Sequence, residues 1–234
     1  MSFTRWRSLV DGTEVDVGPA IPDGDVYLHD DWGDGKLQDR DDSGTTNHNG
    51  VEGVYRPEWN IDRGSPTVVN EQAELDGSDD TADQMRTELN LNFDEEITWE
   101  ITDADFGDNQ GSGGGDVTGL GLFANTETWN DEEYYLHESY YIVHRTGANI
   151  ELRHADENGS ETTLISGDDG SEYSHPIDYE ITRQSDGVWE LVINGTSLGT
   201  ATDTSTDTVE YVGFGNRETG GNEAHSLIDE FKVF

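Results

Sequence analysis

The sequence predicts an all-β fold of antiparallel strands, arranged as a two-sheet sandwich or a barrel. From residue 54 onward apolar and polar residues alternate in short runs with a period of two, and no long run has helical spacing. The runs are separated by clusters of Gly, Asp, Asn and Ser, which turn a chain. Many such runs follow one another at short intervals, the pattern of sandwiches and barrels.

Taken in order, the strand candidates begin with "VYRPEWNI" (54–61), "TVVNEQAEL" (67–75) and "TELNLNF" (87–93). "EITWEIT" (96–102) is the clearest, with Ile97, Trp99 and Ile101 alternating against Thr98, Glu100 and Thr102. "VTGLGLFA" (117–124), "SYYIVHR" (139–145) and "NIELRHA" (149–155) follow. "IDYEITR" and "GVWELVIN" are joined through "RQSDGVW", and "VINGTSLG" carries the chain onward. The Asp-Gly and Asn-Gly pairs tolerate positive φ and close tight hairpins, so residues 178–202 read as a three-stranded meander. "TVEYVGFG" (208–215) and "SLIDEFKVF" (226–234) complete the set. Between them "GDNQGSGGGD" (107–116) is too glycine-rich for a strand and lacks the spacing of a phosphate-binding loop.

The 234 residues show no composition break that would mark two cores. One domain over residues 25–234, preceded by an extended arm over 1–24, is the expected organisation. The arm joins an apolar-basic patch to "VGPAIPDG". It reads either as a frayed terminus or as a docking peptide that would contact an assembly through Phe3, Arg5, Trp6 and Arg7.

Acidic residues number 52 against 12 basic ones, a formal charge of −40. At about 1 M salt the Debye length is only about 3 Å, so concentrated salt would screen the repulsion that this charge creates. Most carboxylates are therefore expected on the surface. Six Trp, nine Tyr and seven Phe in alternating segments oppose a disordered acidic chain. With no basic footprint, binding to nucleic acid or to an anionic membrane is not expected.

Cysteine is absent, which excludes disulfides, thiolate metal sites and cysteine nucleophiles. The start has no apolar core of signal-peptide length, and Trp6 separates Arg5 from Arg7 where a twin-arginine signal pairs them. No stretch approaches the roughly 20 apolar residues that span a membrane, so no membrane insertion is expected.

"YEITRQSDGVWELVINGTSLGTATDT", "VEYVGFGN", "HSLIDEFKVF" and "DDWGDGKL" together resemble segments of the concanavalin A-like lectin/glucanase superfamily, in its laminin-G-like branch. The resemblance spans residues 30–234 and implies an all-β, antiparallel two-sheet jelly-roll sandwich. It implies that "DDWGDGKL" opens the domain, with Trp32 and Leu37 packed inward and the first and last strands side by side. "QDRDD", residues 38–42, then reads as the start of a solvated loop. Acidity together with this resemblance points to a haloarchaeon or one of its viruses.

Glucanases of that superfamily carry Glu-x-Asp-x-(x)-Glu on one strand, because a retaining mechanism needs two carboxyls about 5–5.5 Å apart. Only Glu14 and Glu74 begin the pattern here, and neither reaches a second glutamate. No metalloprotease pairing of histidines and no serine elbow is present either, so the chain is expected not to be an enzyme.

A structural Ca2+ is the one cofactor considered, since hard cations take several oxygen ligands. Alternation places Asp229 on the face of Leu227, Phe231 and Val233, and a carboxylate aimed at a core must be paired or hold a metal. The resemblance makes Asp31 and Asp34 its co-ligands. The alternatives are pairs with Arg40 or Arg56, or a bulge that turns Asp229 outward. Sugar binding needs an aromatic platform beside polar groups, and Trp129, Asn130, Asp131, Tyr134, Tyr135 and His137 supply that chemistry. Tyr140 and Tyr141 follow in the same run, all of which ordinary strand aromatics could also explain. Asn158 and Asn194 head the glycosylation sequons "NGS" and "NGT", with Asn194 already explained as a turn residue.

The resulting expectation is a non-catalytic surface protein of a haloarchaeal virion, a turret, spike or fibre. Its sandwich would adhere to host-surface glycans, its arm would anchor it to other virion proteins, and it would form a homo-oligomer. The alternatives are a cellular haloarchaeal carbohydrate-binding module or adhesin, extracellular or on the cell surface, and a glycan-active enzyme with an unfamiliar site.

Overall fold

A computed structural model describes residues 7–10, 13–16, 27–40, 44–48, 51–77, 83–105, 117–124, 138–145, 149–169, 176–206, 208–217 and 224–234. Among them every regular element is a strand. The first ten are β1 (Arg7–Val10), β2 (Thr13–Asp16), β3 (Leu28–Asp30), β4 (Gly44–His48), β5 (Val51–Tyr55), β6 (Asn60–Arg63), β7 (Thr67–Val69), β8 (Gln72–Gly77), β9 (Asp83–Asn92) and β10 (Ile97–Ala104). Then come β11 (Val117–Ala124), β12 (Ser139–Arg145), β13 (Asn149–Ala155), β14 (Glu161–Asp169) and β15 (Ile177–Arg183). The last are β16 (Val188–Ile193), β17 (Thr196–Thr202), β18 (Thr208–Arg217), β19 (Ala224–Ile228) and β20 (Glu230–Val233).

Two large sheets form the sandwich. An eight-stranded sheet runs β17-β16-β15-β10-β20-β3-β5-β4, and a seven-stranded sheet runs β14-β13-β12-β11-β18-β9-β6. A small sheet, β19-β8-β7, buries Ala73, Leu75 and Ile228 against the same core. The pairings are antiparallel except for β3 beside β5. The first and last strands of the domain do lie side by side, with Phe231 of β20 opposite Asp30 of β3.

Alternation explains why the sheets face each other. In β10 the buried positions are Ile97, Trp99 and Ile101, and in β15 they are Ile177, Tyr179, Ile181 and Arg183. Their partners from the opposite sheet meet them as aromatics. Tyr140 lies 4.1 Å from Trp189 between ring centroids, and Phe214 lies 5.1 Å from Phe231 in an edge-on contact. Trp189 also stacks on Trp99 at 5.8 Å, and the Arg183 guanidinium covers the Phe93 ring at 4.0 Å. Such rings contribute large buried areas, with about 0.5–1.5 kcal/mol per well-placed pair beyond area alone.

The meander appears as expected. β15, β16 and β17 pair in succession, and their turns hold Gly187 at φ 85°, Asn194 at φ 49° and Gly195 at φ 74°. Other runs divide where the sequence showed one strand. "TVVNEQAEL" is a hairpin, β7 to β8, because Asn70 and Glu71 both take left-handed backbone. "SLIDEFKVF" passes from the small sheet in β19 to the eight-stranded sheet in β20, bending at Asp229. The N-terminal segment, expected as extended, contains an antiparallel pair: β1 pairs with β2, separately from the sandwich sheets.

Candidate functional site

The opening segment forms a charge cluster centred on Asp30. Its carboxylate is fully buried and accepts hydrogen bonds from Arg40 Nη1 at 2.6 Å, Trp59 Nε1 at 2.7 Å and the Trp32 amide at 3.0 Å. Burial pushes this carboxyl up to about 6, against the downward pull of Arg40, Trp59 and Trp32. Arg40 also donates from Nε to the Lys36 carbonyl at 3.0 Å and lies over the Trp32 ring at 5.7 Å. Glu58 receives the Asp39 and Arg40 amides at 2.8 and 2.7 Å, which fastens residues 39–40 to the stretch before β6. Residues 38–42 were expected to begin a solvated loop. Arg40 departs from that expectation because Asp30, deep in the fold, needs a counter-charge.

Two of the expected metal ligands, Asp31 and Asp34, lie in this region. Asp31 accepts from Arg56 Nε at 2.6 Å, Tyr55 OH at 3.1 Å and the Gly33 amide at 3.2 Å. Burial raises the Asp31 carboxyl, but Arg56 and the Gly33 amide outweigh it and hold the group below the usual range. Asp34 lies 3.3 Å from Arg40 Nε. Asp229 stands at the bend between β19 and β20, where the buried positions change phase: Ser226 and Ile228 are buried before it, Phe231 and Val233 after it. It is therefore half-buried rather than aimed at the core. Burial, Asp103, Glu230 and Glu71 raise its carboxyl, while Gln72 hydrogen-bonds to it. A cation at Asp31 or Asp34 would sit against a guanidinium, so as placed here these two side chains do not fit a calcium site. Among the described residues no three His, Asp or Glu side chains are gathered to hold a metal ion.

A second polar constellation bridges the two sheets. Tyr140 donates to Asp203 Oδ1 at 2.9 Å and stacks on His154 at 4.7 Å, and His154 Nδ1 lies 3.7 Å from Asp203 Oδ2. Burial and the Asp203 charge raise the tyrosine hydroxyl. Burial also raises Asp203, yet the Ser205 amide and hydroxyl and Tyr140 prevail and hold it low. An ionised acceptor facing a hard-to-ionise donor is a stable hydrogen bond. This arrangement ties the segment after β17 to the seven-stranded sheet.

The solvent face of the eight-stranded sheet carries a shallow depression of about 250 Å³, bordered by Glu100, Thr102, Asp178, Glu180, Val192 and Gly195. Glu100 and Glu180 are directly opposite across β10 and β15, and Lys232 of β20 flanks Glu100. Burial raises Glu100, Lys232 opposes that, and Glu180, Glu230 and Asp178 add to it. Lys232 also bonds Glu230 at 2.6 Å, and Glu230 in turn contacts His29 at 2.8 Å.

The expected sugar contacts Trp129, Asn130, Asp131, Tyr134, Tyr135 and His137 lie outside the described residues, as do Phe3, Arg5 and Trp6. Arg7 begins β1. Tyr140 and Tyr141 from the same aromatic run are fully buried and offer no platform. Sequence reasoning named Arg40 as a partner for an acid but missed Asp30 as the carboxylate it meets. Parity was the available signal, since Asp30 is two residues from both Leu28 and Trp32, and all three are fully buried.

Similar folds occur among solved structures. The carbohydrate recognition domain of Emp47p aligns with TM-score 0.58 and 11% identity, covering 75% of this chain and 87% of its own. That of Emp46p in its potassium-bound form gives 0.60 and 12%, covering 75% and 88%. The exoplasmic/lumenal domain of VIP36 in its Ca2+/Man-bound form gives 0.58 and 13%, covering 75% and 82%. The fold is a concanavalin A-like two-sheet β-sandwich. No protein-family model and no curated protein sequence matches the chain.

Proposed function

We propose that this chain is a non-catalytic, glycan-binding adhesion protein of a concentrated-salt environment, displayed on the virion surface of a haloarchaeal virus. The supporting observation is the sandwich itself, whose fold aligns with carbohydrate recognition domains over three quarters of the chain. The charge of −40 supports the high-salt setting. Residues 25–234 form the binding domain. Segment 1–24 anchors it to other virion proteins through Phe3, Arg5, Trp6 and Arg7, and copies of the chain associate. The connection between β11 and β12 supplies the sugar contacts through Trp129, Asn130, Asp131, Tyr134, Tyr135 and His137, on the chemistry of those residue types. A structural calcium at Asp31, Asp34 and Asp229 would have to displace Arg56 from Asp31 and Arg40 from Asp34.

Immunogold labelling of particles against this chain tests the display, and label on particle surfaces is expected. Label confined to cell envelopes would favour a cellular adhesin instead. Removing residues 1–22 should leave a folded domain that no longer joins particles, and unaltered incorporation would remove the anchoring role.

A further inference from the structure

The chain holds two glycosylation sequons, Asn158-Gly159-Ser160 and Asn194-Gly195-Thr196, and both lie in exposed hairpin turns. Their amides differ in a way that matters chemically. The Asp178 amide donates to Asn194 Oδ1 at 2.9 Å, which fixes the side chain with its oxygen inward and its nitrogen outward. At Asn158 the side chain instead donates to Asp156, whose carboxylate also takes the Asn158 and Ser160 amides at 2.8 Å each. The nitrogen that a glycan must occupy is committed at Asn158 and free to be substituted at Asn194.

The surroundings of Asn194 point the same way. Gly195 borders the depression on the outer face of the eight-stranded sheet, whose other edges bear Glu100, Thr102, Asp178 and Glu180. Carboxylates and a hydroxyl in a shallow hollow are hydrogen-bond acceptors for sugar hydroxyls. Glu100 and Glu180 face each other as like charges across two strands, an arrangement that costs stability when left bare. A saccharide lying there would separate and solvate both. Thr196, which supplies the sequon hydroxyl, is exposed and pairs with Ile193 across the tight turn.

We propose that Asn194 is an N-glycosylation site whose first sugars rest in the Glu100–Asp178–Glu180 depression. The donor is a saccharide linked to a lipid phosphate, delivered by a membrane-bound transferase. Asn194 Nδ2 bonds to the anomeric carbon, the anomeric carbon–oxygen bond to phosphate breaks, and the amide proton goes to the transferase's base as the lipid phosphate departs. Asn194 Oδ1 is untouched, so the bond from the Asp178 amide survives modification.

Trypsin separates the two sequons, since cleavage after Arg153, Arg183 and Arg217 leaves Asn158 in peptide 154–183 and Asn194 in peptide 184–217. Mass spectrometry of the chain from the cells or particles that carry it should find a saccharide adduct on peptide 184–217. Thr196→Val keeps the strand and the turn but removes the hydroxyl, so the adduct should vanish while the melting temperature stays that of the deglycosylated parent. Peptide 184–217 found only at its unmodified mass overturns the proposal, as does an adduct that persists in Thr196→Val.

Discussion

The meander of residues 177–202 and the opening segment of residues 28–40 both send side chains into the buried interior, yet they are held by opposite physics. The meander is local: β15, β16 and β17 pair in succession, turn on Asp186-Gly187 and Asn194-Gly195, and offer Tyr179, Ile181, Trp189 and Leu191 to an apolar core. The opening segment is held by charge across distance in sequence, Asp30 to Arg40 and Trp59, and Asp31 to Arg56. A local apolar element tolerates the loss of any single polar contact. A buried ionic junction depends on every partner being present, because an orphaned charge cannot recover water.

The sharpest way to break that contrast is to delete one member of each. Asp30→Ala takes from the buried Arg40 guanidinium its partner at 2.6 Å, leaving Asp34 at 3.3 Å, and should cost about 3 kcal/mol. Trp189→Ala opens a cavity in the core and should cost about 3–5 kcal/mol. The two separate on rescue. Replacing the pair together, Asp30→Leu with Arg40→Met, should restore most of the loss, because apolar residues of similar volume substitute for a buried ion pair at little cost. Urea unfolding at constant molar salt measures all three. Failure of the double variant to recover would mean that the pair specifies the fold rather than merely satisfying itself.

Glycines give a smaller effect and a cleaner ranking. At Gly187, in the meander, φ is 85° and an added Cβ would lie 2.9 Å from the Asp203 carbonyl oxygen, a backbone atom that cannot step aside. Gly187→Ala should cost about 1–3 kcal/mol. At Gly33 the Cβ would meet Arg56 Nη2 at 2.5 Å, the movable end of a side chain. Gly33→Ala should therefore cost only about 1 kcal/mol, by loosening the Arg56 bond to Asp31. Thermal melts of the two variants check the order, and a costlier Gly33→Ala would show that the guanidinium is rigidly fixed.

A further expected effect is a dependence on pH. The Asp30 carboxyl sits at about 6 when folded against an ordinary value of 3.8, so the folded state holds its proton more tightly. That contribution to stability is fully present below about 4 and is lost as pH rises through about 6. Asp31, Asp203 and Glu230 are held low and act oppositely, losing their contribution as pH falls through their folded values. Melting at constant molar salt should thus decline from pH 4.5 to 7 in the parent and be flatter over that range in Asp30→Asn. An equal decline in both would assign the slope to another group.

The same contrast explains how much of the molecule could be read in advance. Alternation and turn pairs are local signals, and they yielded β10, β13, β15 and β16 nearly residue for residue. Left-handed backbone at Asn70 and Glu71 divided a run that alternation alone joined. The Asp11-Gly12 pair between β1 and β2 was a readable hairpin signal of the kind recognised later in the chain. Arg40 and Arg56 were weighed as partners for acids, but their choice among many aspartates depends on which carboxylate the fold buries. Asp229 was misplaced by extending one alternation through a bend where the chain changes sheets. The proposed glycan contacts rest on the chemistry of residues 129–137, while Tyr140 and Tyr141 of the same run proved to be core.

The most direct measurement is calorimetric titration of the purified chain with glycans released from the surface of the proposed haloarchaeal host, in molar salt, followed by analysis of the recovered glycan. Saturable binding with the glycan returned intact is the predicted result. Absence of saturable binding, or recovery of shortened glycan, would contradict a non-catalytic lectin sandwich.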